Sequence, residues 1–477
     1  MITRSRFLVA VVAVGLSLAV GYAPEASAQG LACVVSAGGC SEVIGNGVDA
    51  IWVSGQGRPA GYYAGKTLCI RPGTYGGIGL YNVVGTPTRP VVITNCGGQA
   101  VFNSASGIPF YIGGASRYLH VTGTGSAAHV YGLVAGTSTG NQAHVDLREA
   151  TSDVEIDHVE VRGNGNGGVG IAFRTYPLCN GTYRRGTWAQ YNTRIHDTWV
   201  HDTRYEGMYI GPSHHGWKAA KDYSPGVDCG GGNRQYEADV IGVEIVDNLL
   251  ERLGNDGIQV GGALQGMTIR NNVIKDYGLN NDPYHSGGIL VNPGSRGVVD
   301  ANWIETTKPN ATIGLIFMGM GNSVMMNNVI IGARSGTQFL RNTDVNLEQD
   351  LPDVAYYNNT VVGSSVEGLY FYCNLQKNVL FANNVVAGAP TLYGANGNIL
   401  SCVPSLTASH NLLNKQVAAA GFVDAAARNY HLLPTSPAVG TGVSLEGVVD
   451  FDYEGNNRRD APYDLGAFAL TSGVTRP

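Results

Sequence analysis

The residues most able to do chemistry are carboxylates that stand directly before glycine. Glu206 lies in Tyr205-Glu206-Gly207 and Asp256 in Asn255-Asp256-Gly257. If the chain turns of these segments stack, the two acids sit side by side. Paired carboxylates repel, so one of them holds its proton near neutral pH. A protonated acid beside an ionised carboxylate suits glycosidic cleavage: one protonates the leaving oxygen, and the other attacks the anomeric carbon or activates water. A separation of about 5–5.5 Å would imply retention and about 6.5–9.5 Å inversion. The same pair could instead hold calcium or cap backbone N–H groups. His201, whose ordinary pKa suits acid/base work, is the third candidate catalytic residue. Arg162, Asp202, Arg204, Tyr205, Trp217, Lys218, Glu251, Lys275 and His285 are candidates for binding substrate.

What would position these groups is an internal repeat. Asn recurs at 248, 272, 302, 328, 359, 384 and 411, at spacings of 24, 30, 26, 31, 25 and 27 residues. Each lies in one frame: an inward apolar residue, two positions, Asn, then two apolar residues, as in Ile269-Arg270-Asn271-Asn272-Val273-Ile274. That length suits one coil of a β-solenoid. Short alternating strands cannot bury an inner face alone, but coils stacked ~4.8 Å apart can. An Asn at the same corner of each coil bonds its amide to the next, and Asn tolerates the left-handed geometry of a sharp corner. Segments 195–200 and 156–161 fit over 245–250 without gaps, with Thr198 and Val159 at the corner. The same alignment puts Gly167 in the column of Glu206 and Asp256.

Three residues past the corner, the outward column reads Arg162, His201, Glu251, Lys275, Glu305, then Ile331, Val362, Ala387. This is a localised polar strip. Long excursions leave the frame at 174–192 and 212–240, and a shorter one at 279–286 carries His285. The long pair holds aromatic and basic residues suited to sugar rings and anionic substituents. Among them are Trp188, His214, His215, Trp217 and Lys218. Gly163-x-Gly165-x-x-Gly168 matches a dinucleotide fingerprint by letter, but a strand rather than a helix follows it.

Several motifs resemble those of bacterial right-handed parallel β-helix proteins of the pectate-lyase-like superfamily. Leu68-Cys69-Ile70-Arg71-Pro72-Gly73-Thr74-Tyr75 resembles their opening strand and turn. Phe422-Val423-Asp424, Tyr430-His431-Leu432 and Asp464-Leu465-Gly466-Ala467-Phe468 resemble their closing coil. Arg458 or Arg459 paired with Asp464 is expected to tie that coil down. The resemblance implies an all-β, single-stranded parallel β-helix over 67–470. It also implies a polysaccharide substrate, acidic or neutral. The carboxylate–Gly pairs followed by His285 are similar to polygalacturonases, although an adjacent Asp-Asp and an Arg-x-Lys are missing. Hydrolysis is therefore the first expectation and needs no cofactor. β-Elimination on a uronate polymer, with calcium on Glu206 and Asp256, is the alternative. A non-catalytic glycan-binding surface protein is the third.

The ends and the composition agree with an exported protein. Arg4 and Arg6, an apolar run over 7–20 and Ala26-Ser27-Ala28 describe a secretory signal peptide over 1–28. An N-terminal cap over 29–66 and a tail over 471–477 complete the layout. The protein is expected outside the cytoplasmic membrane, extracellular or periplasmic, with no membrane insertion. A net charge of −6 without basic runs gives no reason to expect nucleic acid. Eight cysteines suggest disulfides. Their pairing is open from sequence, local proximity favouring 33–40, 69–96, 179–229 and 373–402.

Overall fold

The computed structural model describes residues 30–470 apart from 106, 166, 214–225, 310–311, 341–353, 373–378, 396–405 and 460–461. The signal peptide, the tail, His214, His215, Trp217, Lys218, Cys373 and Cys402 lie outside the described residues.

The chain forms the expected parallel β-helix. Described strands build three long sheets of 13, 12 and 12 members, in which sequential coils are neighbours. We call them A, B and C in the order the chain visits them within a coil. One coil runs through Asp239–Val246 in A, Leu249–Glu251 in B and Ile258–Val260 in C. All pairings within the three sheets are parallel, and crossovers between parallel strands take the right-handed sense. Sheets A and C begin at Glu42–Ile44 and Ile51–Ser54, inside the segment read as a cap. One continuous apolar core runs from Ile51 to Val386.

The corner between A and B carries the predicted Asn ladder. Asn248, Asn272, Asn302 and Asn328 each donate from Nδ2 to the Oδ1 of the next Asn at 2.9 Å. Asn359 and Asn384 continue it at 3.2 and 2.9 Å, ending on Asn411. Thr198 closes the other end, its hydroxyl donating to Asn248 Oδ1 at 2.7 Å. One detail differs from expectation. The left-handed backbone falls on the residue before each ladder Asn, as at Asp247 (φ 59°), Asn271 (φ 56°) and Ala301 (φ 52°). The ladder Asn is thus free to aim its amide along the stack.

The outward column of sheet B has the predicted register, from Arg162 beside His201 through to Val362 beside Ala387. Its change from polar to apolar has a packing cause. Ile331, Val362 and Ala387 lie under the C-terminal segment, which covers them with Ala420, Phe422, Tyr430, Leu465 and Phe468. At the boundary Arg428 Nε pairs with Glu305 Oε1 at 2.6 Å.

The closing coil is tied differently from the expected Arg–Asp464 pair. Buried Arg458 donates to the backbone oxygens of Gly466 (2.7 Å) and Asp464 (3.2 Å), while Arg459 pairs with Asp450. The Asp464 carboxylate instead accepts the N–H groups of Gly440 and Leu470, each at 2.7 Å. Two of the favoured disulfides are also replaced. Cys33 bonds Cys96 and Cys40 bonds Cys69, because strand Glu42–Ile44 stacks on Thr67–Ile70 and brings Cys40 beside that strand instead of back to Cys33. Cys179 bonds Cys229 as expected, joining the two long excursions.

Candidate active site

Strand register brings Glu206 and Asp256 together. Met208 pairs with Ile258, so the residues two places earlier are neighbours in one column at the turn from sheet B into C. Ile171 pairs with Met208, which places Val169 in that column. Gly167 therefore does not stack on Glu206. It faces the preceding coil, where a Cβ would meet His144 Nε2 at 2.2 Å. On the other side, Ile258 pairs with Ile289 and puts Gly287 next to Asp256. With no side chain there, the Gly287 N–H approaches closely and donates to Asp256 Oδ1 at 2.6 Å.

His285, from the short excursion, closes the group. Its Nδ1 lies 3.2 Å from Glu206 Oε1 and 3.4 Å from Asp256 Oδ2. The three ligand-type atoms fall within 4.8 Å of one another. Asn255 Nδ2 donates to Glu206 Oε1 at 3.2 Å. Asp256 is fully buried and Glu206 nearly so, whereas the His285 side chain is 37% exposed. The groups offered to a ligand are thus the imidazole and the small exposed edge of Glu206, with Asp256 sealed behind them.

The electrostatics follow from that arrangement. Hydrogen bonds to Asp256 and Glu206 raise the His285 pKa to about 10, so the ring is a cation at neutral pH. Burial pushes Asp256 up to about 6, partly offset by His285. Burial also opposes ionisation of Glu206, but the hydrogen bond with His285 and the other donors outweigh it and hold Glu206 below its usual range. Two carboxylates of one column are therefore driven in opposite directions, as acid/base pairs require.

Around them lies a surface not anticipated from sequence. Arg174 sits 3.9 Å above the Tyr209 ring and 5.6 Å from that of Tyr176, and its charge is felt at Glu206. Tyr209 occupies the outward position of strand Met208–Ile210, beside Gln259. Gln259 donates to Ser213 at 3.3 Å. Its Oε1, and the Nδ2 of buried Asn292 nearby in the next coil, have no partner among the described residues. Small apolar clusters flank the site on the same face, Ala143, Val169, Ala172 and Tyr209 on one side and Leu290, Ile313 and Ile316 on the other. The signal for these residues was available: Tyr209 and Gln259 are the central letters of the strands that follow the carboxylates. Both stand in the outward columns of sheet C, as the polar strip stands in that of sheet B.

The remaining sequence candidates sit elsewhere. His201 lies on sheet B, stacked on Trp199 with ring centroids 4.0 Å apart. Its two nitrogens meet Asp202 Oδ2 (2.6 Å) and Glu160 Oε1 (3.2 Å). Asp202 also takes a two-pronged bond from Arg252, at 2.7 and 2.8 Å. Arg162, Glu251 and Lys275 share the sheet B column, with Arg162 paired to Glu160 at 3.4 Å and Glu251 accepting from Trp199 Nε1 at 3.3 Å. Arg204 lies 5.3 Å from the Tyr205 ring, and the Tyr205 hydroxyl donates to Asn141 at 3.3 Å. Of the candidates, the structure gathers Glu206, Asp256 and His285, with Tyr205 packed against the cluster beside them.

Calcium does not fit this donor set. It takes six to eight oxygens, but a ring nitrogen occupies the centre and Asp256 Oδ1 is already held by the Gly287 N–H.

No family model matches the chain. No curated protein matches it. Among solved structures, an alginate lyase from Paenibacillus sp. strain FPU-7 is 14% identical, with 76% of this chain and 99% of that one covered and a TM-score of 0.37. Pectate lyase Pel9A is 15% identical over 89% of this chain and 96% of that one, with a TM-score of 0.33. The periplasmic alginate epimerase AlgG is 12% identical over 76% and 83%, with a TM-score of 0.35.

Proposed function

We propose that the outer face of sheet C, centred on Glu206, Asp256 and His285, cleaves an acidic polysaccharide outside the cytoplasmic membrane, by β-elimination next to a uronate. The observation that carries this reading is His285 itself, a partly exposed imidazole held by two buried carboxylates. Elimination requires removal of the proton at C5, which is acidic only when the neighbouring carboxylate is neutralised. A cation fixed in place by buried acids does this without reorganisation, and Arg174 supplies a second positive charge beside Glu206. Glu206, kept ionised, accepts the C5 proton. The C4–O4 bond breaks as the C4–C5 double bond forms. Tyr209, whose hydroxyl is kept protonated by burial, returns a proton to the departing oxygen. No metal enters this scheme.

Hydrolysis is the second reading, favoured by the opposite pKa shifts of Asp256 and Glu206. In it Asp256 is the acid and Glu206 the base or nucleophile. Against it stands the burial of Asp256, whose side chain has no exposed surface where that of Glu206 keeps 7% and Tyr209 as a whole 8%, so its carboxyl reaches a glycosidic oxygen only if the excursion bearing His285 moves.

A product assay separates the readings. The secreted protein is incubated with polyuronates and neutral glycans while reducing ends and unsaturated-uronate absorbance are followed together. Elimination predicts that both rise on a polyuronate. Reducing ends alone would replace the first reading by the second, and no product from any polymer would remove both.

A further inference from the structure

A different cluster lies on the outward face of sheet A, three coils near residues 117–196. We infer that it is a binding site for a divalent transition metal of the zinc class, formed by His120, Glu155, Asp157 and His196. This inference does not depend on the reaction assigned to sheet C.

Register brings His120, Glu155 and Asp157 together and sets His196 beside the two carboxylates. His120 pairs with Glu155 and Asp157 with His196 in adjacent outward columns. The middle coil therefore supplies both carboxylates and each flanking coil one imidazole. His120 Nε2 lies 2.5 Å from Asp157 Oδ2. His196 Nε2 lies 3.0 Å from Glu155 Oε1 and 3.8 Å from Asp157 Oδ2. One ligand atom each from His120, Glu155 and Asp157 falls within 4.8 Å of the others. Two imidazoles with two carboxylates is a donor set suited to zinc and its neighbours, and the strands hold it on a rigid frame.

The surrounding bonds aim these atoms inward. His196 Nδ1 donates to Asp197 Oδ2 at 2.7 Å, so the ring is held with Nε2 towards Glu155, where a metal would take the place of the proton shared with that carboxylate. Asp157 Oδ1 accepts from Thr122 Oγ1 (2.6 Å) and His158 Nδ1 (2.7 Å), so Oδ2 is the oxygen left to coordinate. Such outer partners orient the ligands of metal sites. Arg194 also pairs with Glu155, but it has a second acceptor in Glu244 at 3.2 Å and can keep its charge compensated when Glu155 turns to a metal. Asp157 is buried while His120 and Glu155 are about one-third exposed, so the site is open on one side.

The test is titration of the chelator-treated full chain with Zn²⁺ by calorimetry, repeated with Co²⁺ for its visible spectrum. We expect one equivalent bound, with Co²⁺ absorption of low-coordinate nitrogen–oxygen character. His120→Ala and His196→Ala should each weaken it by about 10-fold or more, and Asp197→Asn by a comparable or smaller factor through the lost outer bond. His285→Ala should leave it unchanged, which excludes the sheet C cluster as its source. Absence of binding by the unmodified chain overturns the inference. So does binding that survives in the His120→Ala/His196→Ala double variant, or that His285→Ala removes.

Discussion

His285 determines the charge of the site. Removing its proton would leave Glu206 and Asp256 facing each other with only neutral donors between them. The sign of the resulting pH dependence follows from its raised pKa. A histidine whose folded pKa is raised adds stability that is complete below its unfolded value, about 6.5, and lost as pH climbs through the folded value of about 10. His196, raised to about 9, contributes with the same sign, so the His285 share must be read by difference. His285→Gln keeps the ring's size roughly and removes the proton. The gap in melting temperature between the native chain and this variant should be widest near neutral pH and should shrink as pH approaches about 10. A gap that is constant over that range would mean His285 is not the charged partner of the pair.

At the scale of the element, the Asn ladder holds the corner that leads into sheet B and then into the carboxylate turn. Asn302 is a representative rung. Its Nδ2 donates to Asn328 Oδ1 and to the Ile269 oxygen, each at 2.9 Å, and its Oδ1 accepts from the Asn272 backbone N–H at 3.0 Å. Asn302→Ala leaves those buried groups without partners, at about 1–3 kcal/mol each. We expect a loss of roughly 2–6 kcal/mol in denaturant unfolding, on the assumption that about two of the groups stay dry. A loss within the range of ordinary surface changes, about 0.5 kcal/mol, would show that the ladder is decoration. The rungs were legible from sequence because a corner repeats one letter in one frame. The left-handed position was expected one place too late, although the residue before the corner is Asp or Asn at Asp197, Asp247, Asn271, Asn327, Asn358 and Asn383, types that tolerate that backbone, and Ala301 breaks the pattern. The column of Glu206 and Asp256 was legible because no insertion separates Ile195 from Met208 relative to Ile245 and Ile258. It failed one coil earlier, where two extra residues displace Gly167 and bring Val169 into line.

At the scale of the molecule, the three faces of the solenoid carry different chemistry. Sheet B presents the charged strip and then passes under the C-terminal segment, an outcome hidden in a sequence that shows only polar letters giving way to apolar ones. Sheet A carries the histidine–carboxylate cluster. Sheet C carries the buried acids, His285, Arg174 and Tyr209. Sequence reading merged the first and last of these, because residues 201–206 cross from B to C in a few letters and a list of neighbours in sequence does not say which way each side chain points. On the proposed reading the reactive face is C. The most direct test of this is the rate of unsaturated-end release from a polyuronate by His285→Ala and by Arg162→Ala, the latter an exposed member of the sheet B strip. His285→Ala should lower kcat/KM by about 10²-fold or more, while Arg162→Ala should match the native chain. An active His285→Ala, or an equal loss in Arg162→Ala, would contradict the account.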